Sequence, residues 1–105
     1  MINRGMNGEV GVRLLTLSDC DYCMWLKSEL DAKGISYVDI DANKNSEFAD
    51  SIEEKFKTGF YPIVFIDLGN EIITIVSETD LDTSKTLRTY DTITELVEII
   101  KTYIK

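Results

Sequence analysis

The chain has 105 residues, which is one domain able to bury its own core and too short for two. Apolar residues make up 44% and charged residues 29%, so a core and a solvated surface can both be built, and no apolar run approaches the ~20 residues of a membrane span. The formal net charge of -8 repels phosphate backbones and anionic lipid, which excludes nucleic-acid and membrane partners and leaves a protein partner with a basic face.

In chain order, residues 1–8 (MINRGMNG) read as a flexible N-terminal arm and residues 9–105 as the domain. The arm lacks the apolar h-region of a secretory signal, so a cytoplasmic location is expected. Glu9 to Leu17 (EVGVRLLTL) is a short apolar run with β-branched members, read as a buried strand. Ser18 and Asp19 break it. Cys23, Leu26 and Leu30 then fall at helical spacing from Asp21 to Lys33, and Gly34 stops that helix.

Ile35 to Ile40 (ISYVDI) reads as a second strand. Asp41, Asn43, Asn45 and Ser46 crowd the start of a second helix, Glu47 to Lys57, whose predicted apolar face carries Phe48, Ile52 and Phe56. Thr58-Gly59 ends it. Pro62 to Asp67 and Glu71 to Ser77 are strands joined by a turn at Leu68-Gly69-Asn70. Glu78 to Lys85 is an acidic loop, and Thr86 to Thr89 is either a short strand or an extended approach. Asp91 or Thr92 caps a last helix with Ile93, Leu96, Val97, Ile100 and Ile104 on one face. The predicted order is β-α-β-α-β-β-α: an α/β fold with a mixed four-stranded sheet flanked by helices, its first two strands parallel through a right-handed crossover.

The sharpest chemical feature is Cys20-Asp21-Tyr22-Cys23, lodged between a buried strand and an amphipathic helix. That position puts Cys20 at the helix N-terminus, where unpaired N–H groups and the helix dipole favour a thiolate. Cys23, one turn on, lies on the apolar face. One exposed nucleophile and one shielded resolving thiol is what dithiol exchange requires. A zinc site is a weak competitor, since it needs about four ligands and the chain has two cysteines and no histidine. A metal bridging two chains and a purely structural cysteine pair are the other readings. Pro62, the only proline, opens a strand, a position that tolerates a residue with no N–H.

Together, Cys20-Asp21-Tyr22-Cys23 and Thr58-Gly59 followed by Tyr61-Pro62 resemble the thioredoxin-fold superfamily, and within it the glutaredoxins, whose C-P-Y-C opens the first helix and whose T-G and V-P lead into the third strand. The resemblance spans roughly residues 10–105. Only one strand precedes Cys20 and the thioredoxin W-C-G-P-C is absent, which is closer to a glutaredoxin. The resemblance implies a thioredoxin-like fold, a cis proline facing the dithiol, and electron transport by thiol–disulfide exchange. It implies Cys20 and Cys23 as catalytic pair and glutathione as reductant, with Tyr22, Tyr61, Pro62 and Asp91 as the glutathione site and no metal. It further implies disulfide-containing or glutathionylated client proteins, ribonucleotide reductase among them, and a monomer.

The sequence departs from the family at several points. Asp21 stands where the family has proline, and Asp19 and Asp21 place negative charge around Cys20, which disfavours a thiolate. Leu17 and Ser18 stand where a cation often precedes the first cysteine. Thr89-Tyr90 replaces a G-G pair. Lys55, Lys57 and Arg88 are candidates for the missing cation. Trp25 is read either as part of a docking patch or as packed against the N-terminal arm. The alternatives are a redoxin reduced by a thioredoxin reductase, an iron–sulfur cluster-binding module built from two copies with glutathione, and a redox-inactive interaction protein.

Overall fold

The computed structural model describes residues 11–80 and 87–104. The elements are β1 (Gly11–Thr16), α1 (Asp21–Ala32), β2 (Val38–Asp41), α2 (Ser46–Phe56), β3 (Ile63–Asp67), β4 (Ile72–Val76), β5 (Leu87–Thr89) and α3 (Ile93–Tyr103). The expected N-terminal arm, the start of the first strand and most of the acidic loop lie outside the described residues.

One mixed sheet runs in the order β2-β1-β3-β4-β5. β1 pairs parallel with β2 and antiparallel with β3, β3 pairs antiparallel with β4, and β4 pairs parallel with β5. This is the thioredoxin-like arrangement that the sequence led us to expect, with one correction. Among the described residues the sheet has five strands, because Leu87–Thr89 pairs with Thr74–Val76. Three residues, of which only Leu87 is buried, are too few to give a periodicity that marks a strand.

Strand alternation sorts the core into two layers. Val12, Leu14, Val64, Ile66, Ile73 and Ile75 face α1 and α3, where Leu26, Leu30, Leu96 and Ile100 meet them. Leu15, Ile63, Phe65, Val76 and Leu87 face α2, against Ala49 and Ile52. Each fully buried leucine or isoleucine contributes roughly 1.5–3 kcal/mol over its exposed state, so the central strands β1 and β3 anchor everything else.

The helix ends explain the element boundaries. Gly34, at φ +69, lets the Ile35 N–H reach the Leu30 carbonyl at 2.9 Å and the Gly34 N–H reach Asp31 at 3.1 Å, which closes α1. Ile35 is consumed by that closure, so β2 begins at Val38, three residues later than expected. Of the expected α2 face, Ile52 is buried and Phe56 packs partly buried against the same cluster, so Phe48 is the exception. Ala49 and Ile52 are buried while Phe48 is largely exposed, its ring 6.1 Å from that of Phe65. Lys57, at φ 53, ends α2 in place of Thr58-Gly59.

Candidate active site

The site forms where β1 gives way to α1. Thr16, the last residue of β1, donates its hydroxyl proton to Asp39 at 2.6 Å, and Lys27 of α1 donates to the other Asp39 oxygen at 2.6 Å. These bonds tie the end of β1, strand β2 and the middle of α1 to one another. Burial pushes the Asp39 carboxyl up, but the hydrogen bonds from Lys27 and Thr16 outweigh it and hold the group below its usual range.

Cys20 is the N-cap of α1, in extended conformation at φ -103 and ψ 111. The Cys23 N–H donates to Cys20 Sγ at 3.1 Å. The sulfur therefore occupies the place a Ser or Asp oxygen takes at an ordinary N-cap, aimed at the orphan N–H groups of the first turn. Negative charge on that sulfur is stabilised by the same N–H and by the helix dipole. Cys23 has 0% exposure and packs on the buried side of α1, whereas Cys20 is half-buried. The two cysteines are joined as a disulfide with their Cα atoms 5.2 Å apart.

The loop before β3 forms the second wall. The Tyr61–Pro62 peptide bond is cis, and the Tyr61 carbonyl oxygen lies 4.0 Å from Cys20 Sγ. Pro62 is buried, and its carbonyl accepts the Tyr90 hydroxyl at 2.7 Å. The Tyr61 hydroxyl donates to Glu53 of α2 at 2.5 Å. Burial, then the bond to Glu53, raises the Tyr61 phenol well above its ordinary value, and burial raises Tyr90 likewise. Both phenols are donors throughout the neutral range.

Between these walls runs a groove of about 380 Å³. Tyr22 and Trp25 line it from α1, Phe60 and Tyr61 from the loop before β3, and Asp91 and Thr92 from the start of α3. Ser77, Tyr90 and Ile93 complete it. Three of the expected site residues, Tyr22, Tyr61 and Asp91, thus share one groove. Cys20, Cys23 and Pro62 are not among its lining residues: Cys20 Sγ adjoins it through the Tyr61 carbonyl at 4.0 Å, and Cys23 and Pro62 are buried.

Thr92, not Asp91, is the cap of α3. Its hydroxyl accepts the Glu95 N–H at 3.1 Å, and Glu95 accepts the Asp91 N–H at 2.7 Å. The Asp91 carboxylate is left exposed in the groove wall. Trp25 stacks with Tyr22, ring centroids 6.4 Å apart, and belongs to the groove. Phe60, Ser77, Tyr90, Thr92 and Ile93 join the groove beyond the residues that the sequence marks as a site. Phe60 and Thr92 adjoin Tyr61 and Asp91, a signal that adjacency could have supplied. Ser77 comes from the far end of β4 and carries no such signal.

None of the candidate cations lines the groove. Lys55 sits over the Phe56 ring at 5.3 Å, in a separate depression with Arg13 and Phe48. Lys57 lines a separate open depression together with Asp50, Glu53, Glu54 and Asp80. Arg88 donates to the Tyr103 hydroxyl at 3.0 Å and lies over that ring. Among the described residues, no group of three or more His, Cys, Asp or Glu side chains is placed to hold a metal ion, and no helix is long and apolar enough to cross a membrane.

Residues 12–70, which include both cysteines and Pro62, match the glutaredoxin family model. The N-acetyl-S-hydroxy-L-cysteine reductase of Bacillus subtilis (strain 168) is 27% identical over 66 residues, covering 63% of this chain and 71% of that protein. A solved structure described as that of a malarial protein aligns with 92% of this chain and 99% of its own, at 18% identity and a TM-score of 0.46.

Proposed function

We propose that this chain, which belongs to the glutaredoxin family and is a thiol–disulfide oxidoreductase, uses Cys20 as its nucleophile, Cys23 as its resolving thiol and glutathione as its reductant. In this reading the Cys20 thiolate attacks one sulfur of a client disulfide. A Cys20–client mixed disulfide forms, and the other client sulfur leaves as a thiolate and takes a proton. Cys23 then loses its proton and attacks Cys20 Sγ. The client's second sulfur leaves and is protonated, and a Cys20–Cys23 disulfide remains. Two electrons pass from the dithiol to the client. Two glutathione molecules return them through a Cys20–glutathione mixed disulfide and end as glutathione disulfide.

The observation that carries this reading is the placement of the two sulfurs. Cys20 Sγ accepts an N–H at the start of α1 while Cys23 has no exposure. A bulky disulfide reaches only Cys20, and Cys23 reaches only what Cys20 has captured. The groove supports a ligand extended past Cys20. In this reading the Tyr61 backbone pairs with a peptide-like ligand, Pro62 shapes the wall, Tyr22 offers a ring face, and Asp91 offers a carboxylate to an ammonium group. Clients are proteins with disulfides or glutathione adducts. The cytoplasm, where thiols are kept reduced, is the compartment the reading requires. One observation favours a thioredoxin reductase as the source of electrons instead: among the described residues, no lysine or arginine lines the groove to meet the carboxylates of glutathione.

The test is turnover of a glutathione mixed disulfide coupled to glutathione and glutathione reductase. The wild type is expected to turn over, and Cys20→Ser to lose essentially all activity. Cys23→Ser is expected to keep reduction of glutathione adducts but to stall as a mixed disulfide with dithiol-requiring clients. Activity retained in Cys20→Ser would remove Cys20 as the nucleophile. A wild type inert with glutathione but active with a thioredoxin reductase would replace the reductant and leave the rest standing.

A further inference from the structure

The charge and surface of the groove say more than the dithiol does about which disulfide belongs there. Its outer wall is aromatic and open: Tyr22 is 61% exposed, Trp25 45% and Phe60 54%, with Tyr22 and Trp25 stacked. No lysine or arginine is among the groove's described lining residues. Carboxylates flank Cys20 in sequence and line the groove. Asp19 and Asp21 flank it on exposed positions, and Asp91 stands in the groove wall with its capping duty taken by Thr92. Behind Tyr61, Glu53 accepts the tyrosine hydroxyl. The cation closest in sequence to the dithiol, Lys27, is already bound to Asp39 at 2.6 Å.

We infer that this groove selects a client polypeptide segment that carries lysine or arginine beside its disulfide cysteine, and disfavours segments with an acidic residue there. The inference rests on the dithiol reading above and adds the substrate class. Three effects act in the same direction. The surrounding carboxylates attract a cationic segment and repel an anionic one during encounter, where clefts lined by one sign of charge change on-rates by about 10- to 1000-fold. A lysine or arginine stem covers apolar surface on Trp25 and Phe60 while its charged head stays wet. That head, lying over the faces of Trp25 or Tyr22, also gains a cation–π contact. A carboxylate in the same place gains none of these and meets no lysine or arginine among the described lining residues. The exchange chemistry is unchanged, with two electrons passing from the Cys20–Cys23 dithiol to the client disulfide.

The experiment is a single-turnover comparison with the full chain, reduced beforehand and freed of reductant. Three peptides differ only in having lysine, glutamine or glutamate beside one cysteine, each blocked as a mixed disulfide with uncharged 2-mercaptoethanol. Release of peptide thiol gives a second-order rate constant, divided by the constant for the same peptide with dithiothreitol so that intrinsic reactivity cancels. At ~10 mM ionic strength, the lysine peptide is expected to react at least about tenfold faster than the glutamate peptide, with glutamine between. In ~1 M salt, where the screening length is about 3 Å, the ratio should fall toward one. Asp19→Asn/Asp21→Asn/Asp91→Asn should flatten the low-salt series, read as the lysine-to-glutamate rate ratio within each protein so that any change in the reactivity of Cys20 itself cancels. Equal rates for the three peptides, a preference for glutamate, or a series unaffected by the triple substitution would each overturn the inference and leave the oxidoreductase reading intact. Failure to reduce any peptide, including the neutral one, would overturn both.

Discussion

Tyr90→Phe removes one oxygen and tests whether α3 and the Pro62 loop are joined as described. Tyr90 is 6% exposed, and its hydroxyl donates to the Pro62 carbonyl at 2.7 Å. The ring is kept, so its packing within the core layer under α1 and α3 survives. What is lost is one hydrogen bond, leaving a buried carbonyl without that donor. A net hydrogen bond is worth about 1 kcal/mol and an unsatisfied buried carbonyl costs about 1–3 kcal/mol, so the substitution should cost about 2 kcal/mol. With a urea dependence of about 1–3 kcal/mol per M, the midpoint should fall by roughly 1 M.

Alkali gives a second reading of the same bond. Burial raises the Tyr90 phenol above its ordinary 10.0, so the folded state holds the proton more tightly than the unfolded chain does. Stability from this group is complete below pH 10 and is lost as pH rises from there through the raised folded value. Tyr90→Phe lacks that contribution, so its stability should fall less steeply above pH 10, the remaining slope coming from Tyr61 and Tyr37, which are also raised. Urea titrations of the reduced protein at pH 7 and pH 10.5 measure both effects. A midpoint change under about 0.2 M at pH 7, or equal alkaline slopes in the two proteins, would refute the reasoning.

Other substitutions probe the remaining elements. Asp39→Asn should destabilise the protein at pH 7, and its difference from wild type should shrink as pH falls below 3.8. Asp39 is lowered in the folded state, so its contribution is present above the unfolded value and lost as the carboxylate protonates; thermal unfolding at pH 7 and pH 3 checks this. Leu30→Ala, at a position with no exposure beneath α1, should cost about 2–5 kcal/mol by urea unfolding. Thr92→Ala removes the α3 cap and should cost about 1 kcal/mol, while Asp91→Ala, which caps nothing, should change stability by less than about 0.5 kcal/mol.

The sequence by itself determined the local features, because each rests on residues close together in the chain. The strand of β1, the first turn of α1 and the two-residue gap between Cys20 and Cys23 are such features. So is the Leu26–Leu30 face of α1. A helix starting at a cysteine directs N–H groups at its sulfur whatever surrounds it, which is why the dithiol and the asymmetry of its members were legible. Periodicity likewise separated α3 from the strands, since its Ile93, Leu96, Val97 and Ile100 repeat at the helical interval.

Tertiary structure decided what depends on pairing between distant segments. β5 is a strand only because β4 offers it a free edge, and three residues carry no pattern of their own. Phe48 has the same spacing as Ile52 and Phe56, yet Ala49 and not Phe48 is buried with Leu15 and Phe65, because the helix's rotation against the sheet is set by tertiary packing. The groove exists because α1, the loop before β3 and the start of α3 converge on one end of the sheet. Ser77, Asp91 and Trp25 are far apart in sequence and meet only there. The spent cations show the same limit: a charge's sign is written in the sequence, but whether it faces a ligand or a neighbour such as Tyr103 is a matter of where the chain puts it.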